Sequence, residues 1–318
     1  MKAAVMTGLE LQYTDVPEPI PQNDEILVDV KAVALKNLDR SRAKGTHYTT
    51  ENNKAEATII GSDGVCLLPD GTRVYAVGTG GMAAGKALVR KDMTVRVPDT
   101  LDNRTAAALP NAVFGSAMAL RFRAGIAPGE TVLINGATGV TGRIAVQVAK
   151  HYGAGTIIAT GRNPRSLNEL RALGADRVLS LQEDDLDEQL LRIQQSTPIH
   201  VVIDYLWGPT AEQILASLKG DGSFTQRTRF VSVGAMSGEF IRLSAATLRS
   251  ADLQLMGSGL GSWTRDQIKV LFSDILPGMF QLAASGKLTI DTVPIALQEI
   301  ERVWDAGATD GKRLVIEI

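Results

Sequence analysis

The chain has 318 residues, 44% of them apolar, and 33 lysines and arginines against 35 aspartates and glutamates give a formal charge of −2. That length favours two domains, and the near balance of charge removes the electrostatic footprint of a protein that binds nucleic acid or a membrane surface. One cysteine, Cys66, excludes an internal disulfide and a multi-cysteine zinc lobe, and His47, His151 and His200 lie far apart in sequence, so an all-protein metal site has little to draw on. Ala3–Met6 is too short for a secretory h-region, and no run reaches the roughly eighteen apolar residues of a membrane span. A soluble protein of a reducing compartment, the cytoplasm, is expected.

Residues 1–100 read as β-rich. Ile26–Leu35 alternates apolar residues with Asp29 and Lys31, as a half-buried strand does, and Pro17, Pro19, Pro21 and Asn23-Asp24 mark the loop before it. Leu38–Lys44 is charged enough for one short helix, and 52–57 is polar enough for an exposed loop. Asp70-Gly71 between Val65–Leu68 and Arg73–Val77 predicts a hairpin. Ala106–Arg123 has helical spacing, although Pro110 and Gly115 argue for a break.

After the turn Pro128-Gly129-Glu130 the pattern alternates. Strands are predicted at 131–135, 155–160, 176–180, 199–204, 229–234 and 251–257, and helices at 140–152, 164–173, 184–195 and 209–218. Strands spaced by helices imply a doubly wound parallel sheet with right-handed crossovers. Trp263–Ser285 reads as a long helix kinked at Pro277-Gly278, and Leu314–Ile318 as a last short strand. A nucleotide domain inserted between two parts of a β-rich domain fits this order: 113–261 within 1–112 and 262–318.

Within that order, Thr131–Lys150 reads TVLINGATGVTGRIAVQVAK, a buried strand, glycines at 136, 139 and 142, and a helix. Such a turn aims backbone N–H groups and a helix N-terminus at a phosphate. Gly136, Thr138, Gly139, Val140, Thr141 and Gly142 are therefore the candidate pyrophosphate cradle; the alternative is a tight turn with no ligand. Ala137 stands where the usual G-x-G-x-x-G has a glycine. About 20 residues beyond the last glycine, where a carboxylate would read an adenosine ribose, the chain has Thr160-Gly161-Arg162-Asn163, with Arg165 one turn on. A guanidinium there suits a 2′-phosphate, which favours NADP(H) over NAD(H); the alternative is a solvated arginine at the start of a helix.

These residues resemble the medium-chain dehydrogenase/reductase superfamily, and specifically its zinc-free quinone and enoyl reductase branch. Pro128–Ile134, Gly136–Gly139, Leu173-Gly174-Ala175-Asp176, Gly71–Ala76 and Gly311–Val315 carry the resemblance over nearly the whole chain. It implies an α/β fold: a GroES-like β-rich catalytic domain around an inserted Rossmann domain. It implies cofactor contacts at Val233, Gly234 and Ala235 and at Gly257, Ser258 and Gly259. The positions that hold zinc in other members match Lys36, Ser62 and Asn111, from which no metal is expected. The resemblance also implies hydride transfer from NADPH to a small-molecule quinone or activated alkene. Lys36 is placed to donate to the developing anion, or merely to pair with Asp39 or cap a helix; Tyr48 is placed to orient a carbonyl, or to be a surface aromatic. Alternatives are a zinc-free carbonyl reductase and a weakly catalytic NADPH-binding sensor or structural protein. Relatives pair as homodimers through an edge strand, here around Leu253–Gly257. At two positions the chain departs from the branch: Leu181 replaces a cofactor-binding tyrosine, and Gly64–Gly71 is shorter than the usual hairpin.

Overall fold

The structure is a computed structural model that describes residues 1–22, 24–45, 57–182, 185–305 and 310–318. Two compact units make up the chain, Met1–Asn111 with Lys269–Ile318, and Ala112–Ile268. Among the described residues no helix is long and apolar enough to cross a membrane.

The first unit begins with the antiparallel pair β1 (Lys2–Thr7) and β2 (Glu10–Asp15). There follow β3 (Glu25–Ala34), helix α1 (Asn37–Ala43), β4 (Thr58–Ile59), β5 (Asp63–Leu67), β6 (Arg73–Gly78) and β7 (Lys86–Arg96). The hairpin between β5 and β6 turns at Gly71, where φ is +81°, and the Asp70 carboxylate accepts from the Thr72 N–H at 2.9 Å. Strand β3 pairs with both β5 and β7, so β3, β5, β6 and β7 close on themselves around Val28, Val30, Cys66, Val74, Ala76 and Val89.

Helix α2 (Asn103–Met118) carries the chain into the second unit. It runs unbroken through Pro110, contrary to the expected interruption. Proline removes one donor, but Ala106–Leu109, Ala112 and Val113 are all at most 1% exposed, and burying that face outweighs one missing hydrogen bond. Gly115 serves close approach: a Cβ there would lie 2.9 Å from Thr141 Cγ2. The irregularity comes later, as a π-helical turn over Ala119–Ala124.

The second unit alternates β8 (Thr131–Asn135), α3 (Val140–His151), β9 (Thr156–Gly161), α4 (Pro164–Leu173), β10 (Arg177–Ser180), α5 (Leu186–Ser196), β11 (Val201–Asp204), α6 (Gly208–Ser217), β12 (Thr228–Ser232), α7 (Ala245–Ser250) and β13 (Leu253–Gly257). Its six strands are parallel, in the order β10-β9-β8-β11-β12-β13. Every residue of β8 and β11 is buried, which is why both read as continuous apolar runs. Helix α3 packs on β8 and β9, and Leu133, Ile158, Leu190, Val202, Ile214 and Phe230 lie in one core.

Beyond β13 the expected helix from Trp263 starts at Arg265. It runs as α8 (Arg265–Val270), a π-helical turn (Leu271–Ile275) and α9 (Leu276–Ala284). The wide turn precedes Pro277, so the helix absorbs the missing proline donor by widening ahead of it. The chain ends with β14 (Thr292–Ala296), α10 (Ile300–Val303) and β15 (Arg313–Glu317), and β15 pairs with β3.

Candidate functional site

In the second unit the chain leaves β8 towards β9 on one side, and leaves the neighbouring strand β11 towards β12 on the other. Sheets of this kind bind ligands beyond the strand ends at that switch point, and the glycine turn stands there. Gly136 has a φ of +86°, and a Cβ on it would lie 2.8 Å from Leu206 Cγ. A Cβ on Gly142 would lie 2.5 Å from both Ala137 Cα and the Gly136 carbonyl oxygen. Gly139 is different. It is exposed, it caps α3 with extended backbone, and the nearest atom to a Cβ there is 3.9 Å away. No side chain caps α3, so its first N–H groups remain available to an anion. Thr138, Val140 and Thr141 are half-buried around them.

A polar cluster that the sequence reading missed holds this turn from beneath. Gly136 N–H donates to Thr160 Oγ1 at 3.1 Å, and the Thr160 hydroxyl donates to Asn135 Oδ1 at 2.8 Å. The Asn135 amide donates to Asp204 Oδ1 at 2.7 Å and Thr210 Oγ1 at 3.1 Å. Thr160, fully buried, therefore supports the turn from below. Asp204 also accepts from the N–H groups of Leu206 and Trp207, while burial raises its carboxyl pKa above the ordinary range. Those bonds hold Trp207 at a φ of +56°, a left-handed conformation costly for a residue with a side chain. The Trp207 indole N–H donates to the Glu239 carbonyl at 3.1 Å and its ring meets Phe230 edge-on. Only an unusual run of residue types, Asp204-Tyr-Leu-Trp-Gly208, marks this turn in the sequence.

Arg143, also unremarked in the sequence, is buried on α3. Its Nε donates to the Thr138 carbonyl at 3.2 Å and its Nη2 to Glu169 Oε2 at 2.6 Å, bracing the turn against α4. The Arg143 bond, above all, lowers the Glu169 pKa. Glu169 also faces Arg165 at 3.4 Å. Gly161 is buried under Thr138, whose Cγ2 would lie 2.4 Å from a Cβ. Asn163 accepts from Ser166 N–H and so caps α4. Arg162 alone of this group is exposed without a hydrogen bond or ion pair among the described residues.

The other expected contacts stand at the same edge of the sheet. Val233 N–H donates to the Asp204 carbonyl at 2.7 Å, and a Cβ on Gly234 would lie 2.8 Å from the Tyr205 carbonyl oxygen. Ala235 follows, exposed. Gly257 is exposed at the end of β13, and Gly259 N–H donates to Ser262 Oγ at 2.9 Å. Ser258 is buried, with its hydroxyl accepting from the Trp263 indole at 3.2 Å.

In the first unit, Lys36, Asp39, Asp63, Tyr75 and Arg313 are all buried. Lys36 precedes α1, and its N–H donates to Asp39 Oδ2 at 3.0 Å. The Lys36 Nζ is paired with Asp63 Oδ1 and lies 3.5 Å from Asp39 Oδ2, with its side chain 1% exposed. Burial pulls its pKa below the ordinary lysine range, and Asp39 opposes that shift. The Ser62 hydroxyl reaches Asp39 at 2.9 Å and Asp63 at 3.1 Å, and the Tyr75 phenol donates to Asp63 at 2.6 Å. Arg313 donates to the Leu35 carbonyl at 3.2 Å and to Asn111 Oδ1 at 3.5 Å, and burial brings its pKa down to about 10. Lys36 stands at the N-cap of α1, and its ammonium meets Asp63, a partner the sequence reading did not name, as well as Asp39. Tyr48 and residues 52–56 of the predicted loop lie outside the described residues.

Of the three positions matched to zinc ligands, Lys36 and Ser62 meet at Asp39 and Asp63, while Asn111 is contacted by Arg313; they offer an ammonium, a hydroxyl and an amide. A zinc ion does not fit them: a lysine nitrogen paired with two carboxylates has no lone pair to offer, and an adjacent cation would be repelled. Among the described residues no three His, Cys, Asp or Glu side chains are grouped to hold a metal. Cys66, buried in β5, has its thiol pushed up to about 12 by desolvation.

Comparison with known proteins agrees with this geometry. The zinc-binding dehydrogenase family matches residues 140–275. A probable NADPH-dependent quinone reductase of Emericella nidulans is 27% identical over 96% of this chain and 95% of its own length. The quinone oxidoreductase of Sus scrofa is 27% identical over 84% of this chain and 80% of its own. Among solved structures, the quinone oxidoreductase of Thermus thermophilus, also solved in complex with NADPH, superposes with a TM-score of 0.79 at 25% identity, covering all of both chains. Residues 140–275 accordingly match the zinc-binding dehydrogenase family, and the chain has the medium-chain dehydrogenase/reductase type of fold, a β-rich unit with a six-stranded parallel Rossmann sheet, which it shares with solved quinone oxidoreductases.

Proposed function

We propose that the protein is an NADPH-dependent, zinc-independent reductase that transfers hydride to a quinone or an α,β-unsaturated carbonyl compound. The observation that carries this reading is the open α3 N-terminus at Gly139 together with the free guanidinium of Arg162 at the end of β9. The N–H groups of the first turn of α3 bind a diphosphate, and Gly142 keeps Ala137 close enough for them to do so. Arg162 pairs with a 2′-phosphate by charge-assisted hydrogen bonds, and the absence of a carboxylate at this strand end removes the repulsion such a phosphate would meet. Bound there, the cofactor supplies the hydride. Val233–Ala235 and Gly257–Gly259 offer backbone groups to its nicotinamide half. Tyr48 orients the carbonyl oxygen of the acceptor. Lys36 takes no step on the acceptor, because Asp39 and Asp63 occupy its ammonium.

The same reading includes a homodimer formed through β13. It is the edge strand of the sheet, its sequence LQLMG carries no charge and no proline, and Leu255 is 39% exposed.

The test is NADPH oxidation against a panel of quinones and enones, with product analysis. Turnover is expected, with the carbonyl retained in products from enones. NADPH binding without reduction of any acceptor would overturn the enzymatic reading. Alcohol products would replace it with carbonyl reduction.

A further inference from the structure

The buried cluster around Lys36 is built like a metal centre with its cation already covalently attached. Four groups converge on one point in the first unit: two carboxylates, a serine hydroxyl that touches both of them, and the lysine nitrogen between them. The carboxylates come from different elements, Asp39 from α1 and Asp63 from β5, so the charge at the centre ties helix to sheet. Asp63 is occupied on both oxygens, by Lys36 and Ser62 on one and by Tyr75 on the other. Two aspartates in a dry interior need a cation. The donor set here, an ammonium between two carboxylates, does not fit zinc.

We infer that the Lys36 ammonium replaces a metal ion as the fixed central cation of this domain, and that Asp39, Asp63 and Ser62 form a socket for one positive charge. Lys36 is then a positioning residue. It sets the placement of α1 against β5 through the two aspartates and exchanges no proton with an acceptor. Removing the side chain while keeping the carboxylates leaves Asp63 without its cation, the expensive half of a broken buried pair, and leaves Asp39 with Arg313.

The experiment uses the full chain and reads thermal unfolding, so it is independent of turnover and of the hydride-transfer reading. Lys36→Ala removes Cγ to Nζ, a fragment that n-propylammonium restores. The variant is expected to melt well below the wild type, with n-propylammonium chloride raising its melting temperature and 1-propanol at the same concentration failing to do so. Equal recovery with 1-propanol would mean that the side chain merely fills space, and would overturn the inference. Magnesium or zinc chloride should likewise stabilise Lys36→Ala and leave the wild type unmoved; stoichiometric zinc uptake by the wild type would also overturn it. If Lys36→Ala fails to fold, Lys36→Met is compared with Lys36→Met/Asp63→Asn. The double variant should melt higher than Lys36→Met, because it removes the uncompensated carboxylate. A double variant that melts lower by the sum of the two single losses would show no charge coupling and refute the proposal.

Discussion

Gly142→Ala sets two physical effects against each other. The residue lies in the first turn of α3, where alanine is intrinsically the better helix former by about 1 kcal/mol. Propensity alone predicts stabilisation. A Cβ at this position, however, would stand 2.5 Å from Ala137 Cα and 2.5 Å from the Gly136 carbonyl oxygen, both backbone atoms with no rotamer to change. Overpacking of this kind costs about 3 kcal/mol at the rigid end of its range. The clash therefore wins by about 2 kcal/mol, which in a unit of this size lowers the melting temperature by about 4–8 °C. The Gly136–Ala137 segment must shift to relieve it, so the NADPH dissociation constant should rise about tenfold or more, the worth of one charge-assisted hydrogen bond. Gly139→Ala is the matched control: its Cβ meets nothing closer than 3.9 Å. It should melt like the wild type and still weaken NADPH, because its methyl group stands on the exposed face of the turn. Calorimetry and a fluorescence titration with NADPH decide the matter. A Gly142→Ala protein that melts at or above the wild-type temperature would refute the reasoning.

Arg162→Ala should weaken NADPH by about 10–100-fold and leave NADH nearly unchanged; parallel titrations that show equal losses would remove its phosphate role. Arg143→Met should cost about 1–3 kcal/mol and weaken both cofactors alike, because it frees the Thr138 carbonyl and removes the brace to Glu169 without altering phosphate selection. The Cys66 thiol ionises near 9.0 when free and near 12 in the fold. A raised acid gives stability that is complete below the lower value and lost as pH climbs through the higher. Wild-type stability should thus fall by about 1.4 kcal/mol per pH unit from this group between those limits. Denaturant titrations of Cys66→Ala should show a shallower alkaline decline, and parallel curves would refute the assignment. Leu255→Lys places a charge on the β13 edge and should give a monomer by light scattering; an unchanged dimer would move the interface elsewhere.

What the sequence made legible follows from how each feature is encoded. The parallel sheet was readable because β8 and β11 are buried on both faces, and an apolar run between turns has few other meanings. The break expected at Pro110 failed because a local rule about a missing donor says nothing about the buried face that pays for it, whereas the irregularity expected near Pro277 has a π-helical turn directly ahead of it. The polar cluster under the glycine turn was invisible because Asn135, Thr160, Asp204 and Thr210 come from four separate stretches, and each looks like an ordinary strand end or helix start. Their mutual hydrogen bonds exist only once β8, β9 and β11 are side by side.

The contrast between the two units goes deeper than visibility. A phosphate cradle is made of backbone, so its signature is the absence of side chains at Gly136 and Gly142, and glycine is read directly from the sequence. The Lys36 centre is made of side chains whose meaning depends on their partners. A lysine facing a substrate is a donor; the same lysine between Asp39 and Asp63 is a counterion. Asp39 was visible as a near neighbour at helical spacing, and it did suggest the pair. Asp63 is the partner that the sequence did not suggest: it lies 27 residues on, in β5, and pairs with the buried ammonium. That long-range pairing converts a position matched to a metal ligand into the seat of the cation itself.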